Sequence, residues 1–323
     1  DKGTLKLQDV ETLVLDEADR MLDMGFKEDI EKICDECPHQ RQTLLFSATF
    51  PEKIESMARN IMHKPERVTV ADKHTKSTIE QYFYQVDNDQ HREQALSQVL
   101  LHFLPDNAVV FCNTKRECQD ISDNLKQRGF STAALHGDLD QKDRDQTLIR
   151  FANNSVSILL ATDVAARGLD IEDLDMVINY HLSRDPEVHV HRIGRTGRAG
   201  SQGIALSLLS ERESPKLLQL EDEMGVSLHV SPLPKAKKVA PEELKAPMVT
   251  LEIAAGKRDK IRPGDIVGAL TADKTLAGSD IGKIKVMPTR AFVAVKQQDS
   301  KKAIQLLSEG KIKGRSFRVR IVR

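Results

Sequence analysis

The tetrapeptide Asp16-Glu17-Ala18-Asp19 stands directly beyond the apolar run Val10–Leu15, which reads as a strand buried in a parallel sheet. Carboxylates just past such a strand occupy the end of the sheet at which α/β proteins hold their ligands. One carboxylate can hold Mg²⁺ while its neighbour orients a water against a phosphoryl group, the pairing that ATP hydrolysis needs. A strand-to-helix turn capped by Asp19 fits the same four residues, and the tetrapeptide alone does not separate the two readings.

Four further stretches share that placement. Ser47-Ala48-Thr49 follows the strand Thr43–Phe46 and supplies two hydroxyls able to bond the neighbouring strand's carboxylates and tie Asp19 to an opposite lobe, although alone it is also a common strand-end turn. His191-Arg192-Ile193-Gly194-Arg195-Thr196-Gly197-Arg198 interleaves glycines with arginines, so tight turns can converge several guanidinium groups on phosphate oxygens. Its bland alternative is a solvated basic loop. Ala161–Asp170 follows the apolar strand Ser157–Leu160 and offers Thr162, Gly168 and Asp170 where phosphate or ribose hydroxyls dock. Leu135-His136-Gly137-Asp138, with Gln141 and Arg144, makes a similar strand-end loop and reads equally as a helix cap.

The elements that must position these groups are legible as alternating strands and helices, and the fold class is α/β. Residues 1–72 show strands at Val10–Leu15, Thr43–Phe46 and Arg67–Val70, with helices near Lys27–Asp35 and Pro51–Met62. About three strands are fewer than such sheets usually carry, so this reads as the C-terminal part of a first lobe. Residues 75–228 hold six strands and amphipathic helices, enough for a complete doubly wound lobe, and Gly129 is placed just past a helix end. Residues 229–247, with four prolines and a lysine cluster, read as a stiff basic linker. Residues 248–323 read β-α-β-β-α-β, a small α+β module.

Together the motifs resemble the DEAD-box family of ATP-dependent RNA helicases, over residues 1 to about 228. Asp16–Asp19 is similar to the motif that names the family. Ser47–Thr49, Asn113-Thr114, Thr162–Asp170 and His191–Arg198 match later motifs in the family's order. The resemblance implies two RecA-like lobes that ATP and RNA close together. It implies that Asp16 holds Mg²⁺ through water, Glu17 positions the attacking water, and Arg195 and Arg198 act as arginine fingers. Asp170, with Gly168, would contact the ATP ribose region. Asp19, Ser47, Thr49, His191 and Arg192 would couple the lobes, and Thr114, Gly137, Gln141, Arg144 and Thr162 would hold the RNA backbone.

The departure from the family is specific: nowhere in the 323 residues is there a G-x-x-x-x-G-K run followed by Ser or Thr, the loop that cradles the β and γ phosphates. The expectation is a C-terminal piece of a longer enzyme that by itself neither binds ATP tightly nor unwinds RNA.

The 248–323 module resembles an RNA-recognition-motif fold. Its strand Arg290–Val295 puts Phe292 at one stacking position, while Arg290 occupies the other. From Lys245 to Arg323 there are 18 Lys and Arg against 7 Asp and Glu, while the rest of the chain carries 30 against 42. That surplus predicts phosphate-led binding of a structured RNA hairpin, with Arg290 and Phe292 as contacts. A protein-binding module with a solvated basic face is the alternative. A module of this kind on a DEAD-box core implies large-subunit ribosomal RNA and pre-ribosomal particles as partners. It leaves open a cold-shock-type helicase acting on mRNA, or an RNA-binding and annealing protein working without ATP.

The four cysteines form a single C-x-x-C pair with no partnering histidines, which favours reduced thiols of a cytoplasmic protein over zinc. No apolar run reaches the length of a membrane span, and no obligate protein partner is evident.

Overall fold

The computed structural model describes the chain except residues 1–4, 24, 48, 49, 51, 70–78, 167–173, 198–201, 236, 238 and 323. Its chain divides into two compact units, Asp1–Lys73 and His74–Arg323.

In the first unit β1 (Thr12–Leu15) pairs in parallel with β2 (Gln42–Leu45), and helices α1 (Ala18–Asp23), α2 (Lys27–Glu36) and α3 (Glu52–Ile61) pack beside them. Leu15, Ala18, Ile30, Cys34, Ile54 and Met57 make the core. Burial accounts for only part of the apolar run in β1, because Val14 is 52% exposed. The strand expected at Arg67–Val70 is absent over 67–69, and Val70 lies outside the described residues. A β-propensity run needs a neighbouring ladder, and Val68, 81% exposed, has no such support. Arg41 caps the end of α2 by donating to the carbonyls of Cys34, Cys37 and Pro38, so the C-x-x-C pair is a helix terminus with both thiols buried and unbridged.

The second unit is built on a seven-stranded parallel sheet. Its strands are β3 (Ile79–Gln85), β4 (Ala108–Cys112), β5 (Thr132–Leu135), β6 (Ile158–Thr162), β7 (Met176–Asn179), β8 (Gly203–Leu209) and β9 (Val230–Ser231), in the order β5-β6-β4-β7-β8-β3-β9. Every residue of β4, β6 and β7 is buried, as expected where helices cover both faces. Alternation divides β4 between two cores. Ala108, Val110 and Cys112 join the cluster under α4 (Asp89–Phe103) and α5 (Lys115–Gln127), while Val109 and Phe111 join the cluster under α6 (Gln141–Ala152) and α7 (Asp163–Ala166). Helices α8 (Pro186–Ile193) and α9 (Ser214–Met224) complete the lobe. Strand order reverses about β4, which places a ligand crevice at the carboxyl ends of the strands.

The stretch read as a linker is fastened to this lobe. β9 pairs with Phe83 and Tyr84 of β3, Gln98 donates to the Pro234 carbonyl, and Leu244 is buried in the main core with Leu233 beside it. Beyond it the module forms an antiparallel sheet, β11-β12-β10-β13, from β10 (Met248–Ile253), β11 (Ile281–Val286), β12 (Ala291–Lys296) and β13 (Val319–Ile321). Helices α10 (Pro263–Thr271) and α11 (Ser300–Glu309) cover one face. The other face meets the lobe: Thr250 bonds Asn153 and Ser155, and Phe292 and Val322 pack on Ile149 of α6.

Candidate nucleotide and RNA site

In the first unit the turn after β1 is drawn tight. Glu17 adopts φ 51, its amide donates to Asp16 Oδ1 at 2.9 Å, and the next amide, of Ala18, donates to the Phe46 carbonyl at the end of β2. A residue with a Cβ held in the left-handed region costs on the order of 1 kcal/mol, the kind of local strain that collects at functional sites. Asp19 is buried, and its backbone amide donates to Ser47 Oγ at 3.2 Å, a bond within the first unit that joins the ends of β1 and β2. Thr49 lies outside the described residues. Asp16 stays exposed, with a carboxylate available to solvent. Among the described residues no three His, Cys, Asp or Glu side chains form a metal cage. A single exposed carboxylate such as that of Asp16 is the kind of ligand that Mg²⁺ takes together with phosphate oxygens and water.

In the second unit five predicted contacts gather at the carboxyl ends of three neighbouring strands. Thr114 follows β4 and caps α5, its hydroxyl accepting from the Glu117 amide at 3.1 Å. Gly137 follows β5, flanked by the exposed Lys115–Asp138 pair at 2.6 Å. Gln141 and Arg144 occupy the first turn of α6, whose cap is Asp140. Thr162 ends β6, in register with Cys112 of β4. Two capped helix N-termini thus lie beside these residues, at the positive end of each helix dipole. Arg144 is held in place by donating to the Ala165 carbonyl at 2.8 Å.

The arginine-rich loop leaves α8 beside them. Arg192 is only 3% exposed and turns inward. Its guanidinium makes two 2.7 Å bonds to Asp163, donates to Asn179 Oδ1 and the His181 carbonyl, and lies 5.1 Å from the Phe111 ring centroid. These contacts of Arg192 join the start of α7 to α8 within the second unit. The loop also packs closely on its neighbours: Thr196 donates to the Leu174 carbonyl just before β7, and a Cβ at Gly203 of β8 would collide with Thr196 Oγ1 and the Gly197 amide. Gly168, Asp170 and Arg198 lie outside the described residues.

Several supporting groups carried no sequence signal. Arg92, fully buried, donates to the Tyr180 and Leu208 carbonyls and pairs with Glu213 at 2.6 Å. Burial pushes the Glu213 carboxyl up, but His181 and Arg92 outweigh it and hold the carboxyl well below the carboxylate range. His181 also bonds Glu117 at 2.6 Å, and despite burial these carboxylates raise its pKa. His189 sits between Asn179 and Gln81, and burial, aided by nearby Arg192, pushes its pKa down to about 4. Asn179 was the readable hint, an amide inside an otherwise apolar buried strand.

In the module, Arg290 lines the open part of the sheet and pairs with Glu252 at 3.0 Å. Phe292 does not present the stacking surface expected of it. It is 3% exposed because α6 of the lobe lies over that half of the sheet, with Ile149 against the ring.

Residues 1–57 match the family described as DEAD/DEAH box helicase, 91–200 the helicase conserved C-terminal domain, and 250–321 the DbpA RNA binding domain. The chain is 47% identical over 322 residues to the ATP-dependent RNA helicase DbpA of Escherichia coli strain K12, covering all of this chain and 70% of that protein. It is 35% identical to the Bacillus subtilis strain 168 protein of the same name, over 99% of this chain and 71% of that protein. Among solved structures, Saccharomyces cerevisiae Dbp5 bound to RNA and ADP BeF3 matches with TM-score 0.64 and 30% identity, over 71% of this chain and 61% of that one. With the motifs in order on both units and the third domain matched as well, the chain belongs to the DbpA-like DEAD-box RNA helicases.

Proposed function

We propose that this chain works as part of an ATP- and Mg²⁺-dependent RNA helicase that opens short RNA duplexes during assembly of the large ribosomal subunit, in the cytoplasm. The observation that carries the reading is the gathering of Thr114, Gly137, Gln141, Arg144 and Thr162 at three adjacent strand ends, beside two helix N-termini and next to the loop that Arg192 pins to Asp163. Such a surface tracks a phosphate backbone without reading bases, as a duplex-opening enzyme requires.

In this reading Asp16 holds Mg²⁺ through water, and Glu17, set by its strained turn, orients the attacking water. Arg195 and Arg198 stabilise the charge that builds up on the transferring phosphoryl group, and Asp170 with Gly168 holds the ribose side. Bound ATP with Mg²⁺ would supply the phosphoryl-transfer chemistry; the residues named here orient and stabilise. The module adds affinity for ribosomal RNA and carries the enzyme to pre-ribosomal particles.

The test is unwinding of a short RNA duplex next to a large-subunit ribosomal hairpin. The chain joined behind a segment bearing the phosphate-binding loop should unwind it when ATP is present, and the 323 residues alone should not. Equal unwinding of a duplex next to random RNA of the same length would remove the ribosomal assignment. A second reading, RNA binding and annealing without ATP turnover, is favoured for the 323 residues alone by their lack of a G-x-x-x-x-G-K run. Strand annealing unaffected by ATP would support it.

A further inference from the structure

The module's sheet is divided. Thr250, Phe292 and Val322 are taken up by the lobe, but the half toward the β11–β12 turn stays open. There Glu252, Ala254, Arg290, Arg318 and Arg320 line a cavity of about 190 Å³. Buried Glu252 acts as a clip, accepting from Arg320 Nε at 2.9 Å and its terminal nitrogen at 2.6 Å while pairing with Arg290 at 3.0 Å. Two guanidinium groups thus meet one carboxylate, and both arginines remain partly in solvent, 40% for Arg290 and 53% for Arg320. The Arg318 carbonyl accepts from the Ala254 amide, which fixes Arg318 at the same rim.

A second feature widens the positive surface. The Lys257 and Arg258 amides each donate at 2.9 Å to the Met287 and Pro288 carbonyls of the β11–β12 turn. Gly256 permits that approach, since a Cβ there would strike the Met287 carbonyl and come within 2.7 Å of the Arg290 amide. Exposed Lys257 and Arg258 are therefore drawn in beside Arg290.

We propose that the Arg290–Arg318–Arg320 cavity is a seat for phosphodiester groups of RNA, so that the module grips its RNA by backbone on the free half of the sheet and not by stacking on Phe292. This deepens the RNA-binding reading of the module and rests on it. Planar guanidinium forks match phosphate oxygens in pairs, and a phosphate entering the cavity competes with Glu252 for the same donors. The carboxylate thus keeps the arginines oriented and sets the affinity.

The measurement is fluorescence anisotropy of a labelled RNA stem-loop titrated with the 323-residue chain at several salt concentrations. Arg318→Gln with Arg320→Gln should weaken binding about tenfold or more and make the dependence of log K on log salt shallower by about two units. Lys in place of both should restore the salt slope but only part of the affinity. Glu252→Gln should tighten binding several-fold, a gain that a purely structural carboxylate would not give. Lys274→Gln with Lys301→Gln, which removes equal charge from the helical side, is the control and should change affinity less than about twofold.

If the arginine pair leaves the slope unchanged, or the control weakens binding as much, the seat is wrong and the surface serves something else, such as an acidic protein. Weaker binding by a folded Glu252→Gln chain would also overturn it. Failure of the unaltered chain to bind the stem-loop would instead remove the RNA-binding reading of the module, and the seat with it.

Discussion

Asp163→Ala tests whether the arginine-rich loop is held from inside the lobe. The substitution removes both 2.7 Å bonds that Asp163 makes to Arg192 and leaves a guanidinium that is 3% exposed. Breaking a buried ion pair by deleting one partner costs about 3–5 kcal/mol, whereas an exposed pair is worth less than about 1 kcal/mol. Two bonds survive, to Asn179 and the His181 carbonyl, and the Asp163 side chain is 28% exposed, so the lower end applies: about 3 kcal/mol. All three tyrosines (Tyr82, Tyr84 and Tyr180) lie in the second unit and there is no tryptophan, so tyrosine fluorescence reports this unit's unfolding. In urea, with m of about 2–3 kcal/mol/M, the midpoint should fall by about 1 M. Adding Arg192→Met should recover part of that loss, because it removes the unpaired charge. A fall below about 0.3 M would mean that the pair is effectively solvated and that the loop is set by something else.

Further expectations concern pH, packing and docking. Because the folded state holds His189 near 4 against an ordinary value near 6.5, the unfolded chain takes up the proton first. Its neutral ring thus favours folding above about pH 6.5, and the second unit should lose up to about 3 kcal/mol as pH falls from there toward 4. His181, with its raised pKa, works the other way, its contribution being lost as pH rises through the folded value. His189→Gln should flatten the acid loss in urea midpoints taken across that window, and an unchanged profile would exclude His189 as its source. Gly203→Ala should cost about 1–3 kcal/mol, since backbone of the 196–197 loop stands where the new methyl must go. A neutral effect on thermal unfolding would contradict that packing. Ile149→Ala should cost about 2–4 kcal/mol and speed proteolysis between 229 and 247, because the buried contact to Phe292 and Val322 is lost. Unchanged cleavage would mean that the module is not held through this contact.

The strands were legible where burial on both faces makes a run uniformly apolar, as in β4, β6 and β7. The loops beyond them stood out through residue types that strand ends rarely need. In helix α4 the buried face Ala95, Leu96, Val99 and Leu100 follows helical spacing, but its first turn buries a charged residue, Arg92, which blurs the apolar pattern. The prolines of 229–247 suggested a spacer, yet Leu233 and Leu244 are enough to bind the stretch down. The Arg92–Glu213 pair, 121 residues apart, leaves no local trace. Phe292 shows the limit most plainly. Its position in β12 was readable from the resemblance of that strand to an RNA-recognition motif, but what covers that face depends on Ile149, in another domain.

The proposed reading gives Asp16 and Glu17 the metal and the water of ATP hydrolysis, and gives Arg195 the charge on the transferring phosphoryl group. Its most direct test is steady-state ATP hydrolysis, with and without RNA, by the chain joined behind a segment bearing the phosphate-binding loop. Turnover should require RNA and should fall by about a thousandfold in both Glu17→Gln and Arg195→Lys. Turnover indifferent to RNA, or unchanged in Arg195→Lys, would contradict it.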